Sequence, residues 1–322
     1  MNVSSNSVTQ TVEFALDHYK KHKAVSLVAQ MQSGKTNTFF EIAKEMLKAK
    51  MVKRVVIFSG NNETLLKEQT LERVEKDPVL QYVCEVVFGS DLPKFEPQLM
   101  TNTLYIWDES HYGQSDEQRV DKFCAKCCIC PAGVDNTIIS TVYTLFVSAT
   151  PFSEVIDAKH SNKLVIFQTP SAGYYGISDM LANKKIHKFD DFDTCANDRI
   201  MELKSSSEPK VGIIRLREYA TGPSKFTILK NLCEQNNLSI KLYDASSRDD
   251  ELISAIESKP LSSHIVVVKG KLRMGRTIKD KRNVLWAWET SEMSKTDTRM
   301  QGFLGRFCGY NNILDGLHQN LD

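Results

Sequence analysis

Four charged side chains stand where their type and spacing could do chemistry. Lys35 lies in the run Ala29-Gln-Met-Gln-Ser-Gly-Lys-Thr36, Asp108 and Glu109 end the segment Leu104-Tyr-Ile-Trp-Asp-Glu-Ser-His111, and Arg306 closes Gln301-Gly-Phe-Leu-Gly-Arg306. A lysine and a hydroxyl after a glycine, at the start of a helix, suit a polyphosphate. Backbone N–H groups and the positive helix end would surround the β-phosphate, Lys35 would reach the β/γ oxygens, and the Thr36 hydroxyl would face Mg2+. Gln32, Ser33 and Gly34 complete that cradle. The loop departs from the general pattern at Ala29, where a first glycine is expected, and at Gln32, where a glycine is common. The plainer alternative makes Ser33 a helix cap and Lys35 a solvated side chain.

Two adjacent carboxylates at a strand end repel each other unless a cation or a proton-transfer role stabilises them. A triphosphate with Mg2+ supplies both, with Asp108 on the metal and Glu109 orienting and deprotonating the attacking water. The alternative is a solvated turn. His111 is either an ordinary surface histidine or, by its position, a candidate to sense the γ-phosphate, and Ser148 and Thr150 of Phe146-Val-Ser-Ala-Thr-Pro-Phe152 can bond the acidic loop and couple it onward. Pro151 ends that strand because it lacks an N–H.

Arg306 could stabilise charge developing on the γ-phosphoryl group, a role that suits a planar guanidinium; a helix-surface arginine is the alternative. Between Lys269 and Arg282 lie seven basic residues and one acidic one. Following a strand, this stretch suits nucleic-acid phosphates through Lys269, Lys271, Arg273 and the N–H of Gly270, although charge runs are often only solvated faces. Four cysteines, Cys124, Cys127, Cys128 and Cys130, crowd into seven positions. Their spacing is poor for a tetrahedral site, and on a helix three of them would share the face of Phe123, so buried thiols compete with a zinc or iron–sulfur centre.

These residues require elements to position them. The first half alternates strands and amphipathic helices. A helix is expected near Val8–His22, a strand at Val25–Ala29, a helix at Lys35–Lys48, a strand at Arg54–Ser59 and a helix over Glu63–Val74. Strands at Thr103–Trp107 and Thr144–Ser148 bracket a helical stretch from about Ser115 to Cys128. Gln168–Pro209 reads as a connecting region. The alternation then resumes with strands at Val211–Leu216, Ser239–Tyr243, Ile265–Lys269 and Val284–Glu289. Helices are expected at Ser224–Gln235, at Asp250–Ser258 and from about Thr296. The pattern predicts an α/β chain of two doubly wound parallel-sheet domains, 1–165 and 166–322.

At 322 residues the length agrees with two domains, and 41 basic against 40 acidic residues exclude a whole-molecule positive field. No apolar run approaches the roughly 20 residues that span a bilayer, and the N-terminus lacks a signal-peptide core, so a soluble intracellular protein with reduced thiols is expected.

The order Gln32-Ser-Gly-Lys-Thr36, Asp108-Glu-Ser-His111, Ser148-Ala-Thr150, Lys269-Gly-Lys-Leu-Arg-Met-Gly-Arg-Thr277 and Gln301-Gly-Phe-Leu-Gly-Arg306 resembles a superfamily 2 helicase of the Asp-Glu-x-His type. It is most similar to the divergent helicases of large viruses and phages. The resemblance implies two RecA-like P-loop NTPase domains, with ATP in the cleft between them and a nucleic-acid strand across both. It implies that Gln301 contacts the nucleotide or its water, that Thr277 and Arg276 touch nucleotide or couple the two sites, and that Ser59, Gly60 and Asn61 bind the sugar-phosphate backbone. A plain loop with Asn62 as helix cap explains the last three as well. The family's second arginine is replaced by Gly309-Tyr310, which leaves the efficiency of hydrolysis open or shifts the task to Arg299.

The expected function is thus an ATP-dependent helicase or translocase with ATP and Mg2+ as cofactors. A duplex translocase that does not separate strands, or a nucleotide-dependent binding module, are its alternatives. The expected partner is nucleic acid, DNA slightly ahead of RNA, with accessory domains possible on protein partners and no membrane. Cytoplasm or nucleus is the expected location, in a host cell if the chain is viral.

Overall fold

The computed structural model describes residues 2–60, 64–97, 101–110, 119–130, 141–149, 163–183, 191–216, 224–244, 246–270, 278–290 and 303–310. The chain divides into two compact units, Met1–Ala172 and Gly173–Asp322.

The first unit runs β1 (Asn2–Ser5), α1 (Val8–Tyr19), β2 (Ala24–Ala29), α2 (Lys35–Lys48), β3 (Arg54–Ser59), α3 (Thr64–Lys76), β4 (Cys84–Phe88), β5 (Thr103–Asp108), α4 (Arg119–Lys126), β6 (Val142–Ser148) and β7 (Leu164–Gln168). Its seven strands lie in the order β1-β7-β2-β6-β5-β3-β4, and the paired neighbours are parallel. Because strand side chains alternate in direction, one strand feeds two cores. Val55, Ile57, Leu104, Ile106, Leu145 and Val147 pack with Phe39, Ile42 and Met46 of α2 on one face. Val56, Phe58, Tyr105, Trp107 and Phe146 pack with Phe123 and Cys124 of α4 on the other. Burial on both faces explains why these strands read as continuous apolar runs.

α1 starts on Ser7, whose side chain accepts the Gln10 N–H. It is tied to the sheet by the buried Tyr19 hydroxyl, which donates to the Thr144 carbonyl at 2.8 Å.

The second unit contains α5 (Ile177–Ala182), α6 (Phe192–Ser205), β8 (Val211–Leu216), α7 (Lys225–Gln235), β9 (Ser239–Tyr243), α8 (Asp249–Glu257), β10 (His264–Lys269) and β11 (Val284–Glu289). Four parallel strands lie in the order β11-β8-β10-β9. Gly212 on β8 faces the ring of Trp286 on β11, and a Cβ there would overlap that ring.

Two sequence expectations need correction. The boundary at 165 falls inside β7, which pairs with both β1 and β2 and so belongs to the first sheet. Gln168–Pro209 is not merely a connection: α6 is capped by Asp191, which accepts the Thr194 N–H at 2.8 Å, and it buries Ala196, Ile200 and Leu203. The expected helix from about Thr296 lies mostly outside the described residues, and Leu304–Arg306 forms a short 3-10 helix. No helix among the described residues is long and apolar enough to cross a membrane.

Candidate nucleotide site and the comparisons

The strand order brings the chemistry-bearing segments of the first unit to one edge. β6 lies between β2 and β5, with Val28 opposite Ser148 and Asp108 opposite Val147. The loop after β2, the end of β6 and the acidic pair after β5 therefore emerge side by side at the carboxyl edge, where open α/β sheets place ligands.

Between β2 and α2 the chain turns tightly. The Ser33 N–H and hydroxyl both donate to the Gln30 carbonyl, at 3.2 and 2.6 Å. The helix N-cap is Gly34, which makes no side-chain cap bond. Ser33 is thus a loop brace and not the cap of the plainer alternative. Gln32 adopts φ 55 and Gly34 φ 96, both left-handed. That is the physical reason a glycine is common at the position of Gln32; a side chain there is strained by about 1–2 kcal/mol. At Gly34 nothing lies within 4 Å of a built Cβ, so glycine is required there by conformation and not by space. Lys35 and Thr36 follow in the first turn of α2.

Lys35 is not solvated. Its Nζ donates to Glu109 Oε1 at 3.2 Å, and the two side chains are only 11% and 15% exposed. Glu109 takes a left-handed φ of 54 immediately after β5. Its N–H donates to Asp108 Oδ1 at 3.1 Å. Asp108 itself is buried. Burial first, and the Glu109 charge second, raise its carboxyl well above the usual carboxylate range, with Lys35 pulling in the opposite direction. The segment continues into Ser110, wholly buried, whose N–H donates to the Val147 carbonyl at 3.0 Å. That bond joins the acidic loop to β6, and Ser148 next along β6 is also fully buried. Lys35 thus lies close to two carboxylates, a donor set of the kind that suits a divalent cation.

Ser59 ends β3 fully buried and Gly60 follows. Lys269 ends β10 exposed, and Gly270 follows with φ 72. Arg306 is buried within the 3-10 helix Leu304–Arg306, not displayed on a helix surface. Gly309, at φ 127, makes an antiparallel bridge to Tyr175, and the Tyr310 ring meets Tyr174 edge-on at 5.4 Å. Asn61, His111, Thr150, Lys271, Arg273, Arg276, Thr277, Arg299 and Gln301 lie outside the described residues.

All eight cysteines stand outside disulfides, and the described residues contain no group of three or more His, Cys, Asp or Glu able to hold a metal. Cys124 and Cys127 are buried in the core beside Phe123. Burial pushes the Cys127 thiol up to about 11, the behaviour of a structural thiol.

Three buried cations escaped the sequence reading: Lys163, whose Nζ lies 4.5 Å from the Phe146 ring centroid, and two in the second unit. Arg215 on β8 pairs through Nε with Glu289 Oε2 at 2.7 Å, in register with it on β11. Its signal was an arginine inside an otherwise apolar strand. Lys281, read only as part of the basic stretch, is 2% exposed and donates to the Phe307 and Cys308 carbonyls at 3.3 and 2.9 Å.

No protein-family profile matches the sequence, and no curated protein is significantly similar to it. Solved structures do resemble it. Mss116p bound to single-stranded RNA and AMP-PNP superposes with a TM-score of 0.59 at 14% identity, over 98% of this chain and 68% of that one. The E. coli DExH-box NTPase HrpB gives 0.54 at 13% identity, over 90% of this chain and 36% of its own. The ATP-dependent type ISP restriction-modification enzyme LlaBIII bound to DNA gives 0.60 at 13% identity, over 98% of this chain and 27% of its own. With its seven-stranded and four-stranded parallel sheets, the chain has the superfamily 2 helicase-like fold, built of RecA-like units.

Proposed function

We propose that the chain is an ATP-driven nucleic-acid motor that hydrolyses ATP with Mg2+ to move along or unwind DNA or RNA. The observation that carries this reading is the Lys35–Glu109 pair at 3.2 Å beside the buried Asp108, at the carboxyl edge of the first sheet. An incoming γ-phosphate takes Lys35 away from Glu109, because a phosphate carries more negative charge than one carboxylate. Glu109 is thereby freed to accept a proton from the attacking water; Asp108 with Thr36 would hold the metal, which would supply positive charge against the phosphates. Gln32, Ser33 and Gly34 cradle the phosphates, and Ser148 couples the acidic loop to β6.

Arg306, with Gln301, is the second unit's contribution to the γ-phosphoryl group. Lys269 and Gly270, with Ser59 and Gly60 in the first unit, are assigned to the nucleic-acid backbone. The solved neighbours that hold single-stranded RNA or DNA support a polymer partner of this kind.

The test is steady-state ATP hydrolysis with and without single-stranded DNA and RNA, beside Lys35→Ala. Polymer-stimulated turnover that the substitution lowers by about 100-fold or more supports the reading. Nucleotide binding without turnover under every condition refutes hydrolysis and leaves a nucleotide-dependent binding module.

A further inference from the structure

The 3-10 helix that carries Arg306 is gripped on both sides by the two buried cations of the second unit. On its N-terminal side Phe303, fully buried, lies under the Arg215 guanidinium, with 5.5 Å from Cζ to the ring centroid. Arg215 is itself fixed by the 2.7 Å bond to Glu289, and its carbonyl accepts both the N–H and the hydroxyl of Thr290, at 3.1 and 3.0 Å. On the C-terminal side Lys281 donates to the carbonyls of Phe307 and Cys308, the two residues directly after Arg306. Phe303 and Phe307 meet edge-on at 5.6 Å, which ties the two grips together across the turn. The chain then locks to Tyr175 through two backbone bonds of 3.0 Å at Gly309.

Lys281 is the informative member. Its ammonium is almost completely buried, and its hydrogen-bond partners among the described residues are two peptide carbonyls. Burial pushes it down to about 8, with the neighbouring Cys308 acting in the opposite direction. For packing alone an apolar side chain of similar volume would serve better, since a buried charge carries a desolvation cost. What an apolar side chain lacks is a donor that fixes the two carbonyls and so sets the path of the backbone leaving Arg306.

We propose that Lys281 is a positioning residue that, with Arg215, holds the Arg306 turn in the one conformation its catalytic role needs. This rests on the reading that Arg306 serves the nucleotide.

The test is a double-substitution cycle on the full chain, with Lys281→Met, Arg306→Ala and both together. Polymer-stimulated ATP hydrolysis is measured alongside hydrogen exchange of the amides in 303–309. Lys281→Met is expected to lower kcat about tenfold with KM changed by less than about twofold, and to add less than about twofold loss on top of Arg306→Ala. The amides of 303–309 should exchange about tenfold faster in Lys281→Met while those of β2 and β5 do not change. Wild-type kcat, or losses that simply multiply, overturns the proposal. If Lys281→Met shows no cooperative thermal transition, Arg215→Lys carries the same cycle, because it keeps the charge but loses the planar fork that reaches Glu289 and covers Phe303. Wild-type turnover in Arg306→Ala refutes the catalytic role of Arg306 instead. Anchoring of the turn is then decided by exchange alone, where faster exchange in Lys281→Met supports it and unchanged exchange overturns it.

Discussion

Asp108→Asn should make the nucleotide-free protein more stable at neutral and mildly alkaline pH while removing its hydrolysis. The carboxyl is buried, and the ammonium nearest to it is already bonded to Glu109 at 3.2 Å. The Glu109 charge beside it acts against ionisation, while Lys35 and Arg73 act for it, and burial outweighs both cations. Burial and Glu109 raise the Asp108 proton affinity above that of the unfolded chain, for which 3.8 is the reference. The native state then binds more protons than the unfolded state between 3.8 and the raised value, so stability falls as pH rises through that window.

Asparagine removes the charge and keeps an oxygen to accept the Glu109 N–H, which Asp108 Oδ1 holds at 3.1 Å. Each tenfold change in proton affinity is worth about 1.4 kcal/mol. A rise from 3.8 to about 7 sets an upper bound of about 4 kcal/mol on the gain at pH 8, and for a unit of this size each kcal/mol raises the melting temperature by roughly 2–4 °C. Thermal unfolding without nucleotide at pH 8 and pH 5 is the assay, and the advantage of the variant should shrink at pH 5. A variant no more stable than wild type at pH 8, or an advantage independent of pH, refutes the electrostatic argument. ATP hydrolysis by the same variant at wild-type rate refutes the metal assignment separately.

Glu109→Gln should keep ATP binding, because Lys35 and the loop before it are untouched, while turnover falls by about 100- to 10,000-fold through loss of the base; equilibrium binding beside steady-state hydrolysis checks both halves. Gly212→Val should destabilise the second unit by about 1–3 kcal/mol, because the new side chain must displace the Trp286 ring, and the loss should appear in denaturant unfolding followed by tryptophan fluorescence.

The sequence was most legible where one physical rule acted alone. The helix over Lys35–Lys48 and the strands Arg54–Ser59, Val211–Leu216, Ser239–Tyr243 and Val284–Glu289 match their expected bounds, because a loop glycine or an apolar run marks both ends. β1 was missed because Asn2–Ser5 is short and largely polar, and it becomes a strand only by pairing with β7 at the sheet edge. α6 was missed because the three residues it buries are separated by charged ones facing water, and the Asp191 cap that marks its start reads equally well as a turn. Among the site residues, Lys35, Asp108 and Glu109 were legible as types and as an order. Their mutual geometry was not, since the pairing of Lys35 with Glu109 depends on β6 separating β2 from β5. Lys281 was misread because a charge run carries no sign of which member turns inward.

The first unit concentrates its unfavourable features on one edge. Gln32 at φ 55 and Glu109 at φ 54 are non-glycine residues in left-handed backbone, each costing about 1–2 kcal/mol. Directly before Glu109 stands the buried Asp108 carboxyl, held above its ordinary proton affinity. Relaxing any of the three would stabilise the fold: glycine at 32, an extended backbone at 109, asparagine at 108. A solvated turn, the plainer reading of the acidic pair, would require none of these costs, because an exposed turn imposes neither burial nor a fixed backbone on its carboxylates. The rest of the sheet over-determines the edge, with Val28, Val147 and Phe58 buried in parallel register around it. Strain held in place by a rigid scaffold is how a site remains formed before its ligand arrives. A magnesium-bound triphosphate would add a cation beside the buried Asp108 and an anion to draw Lys35 from Glu109, leaving the strained backbone at 32 and 109 in place.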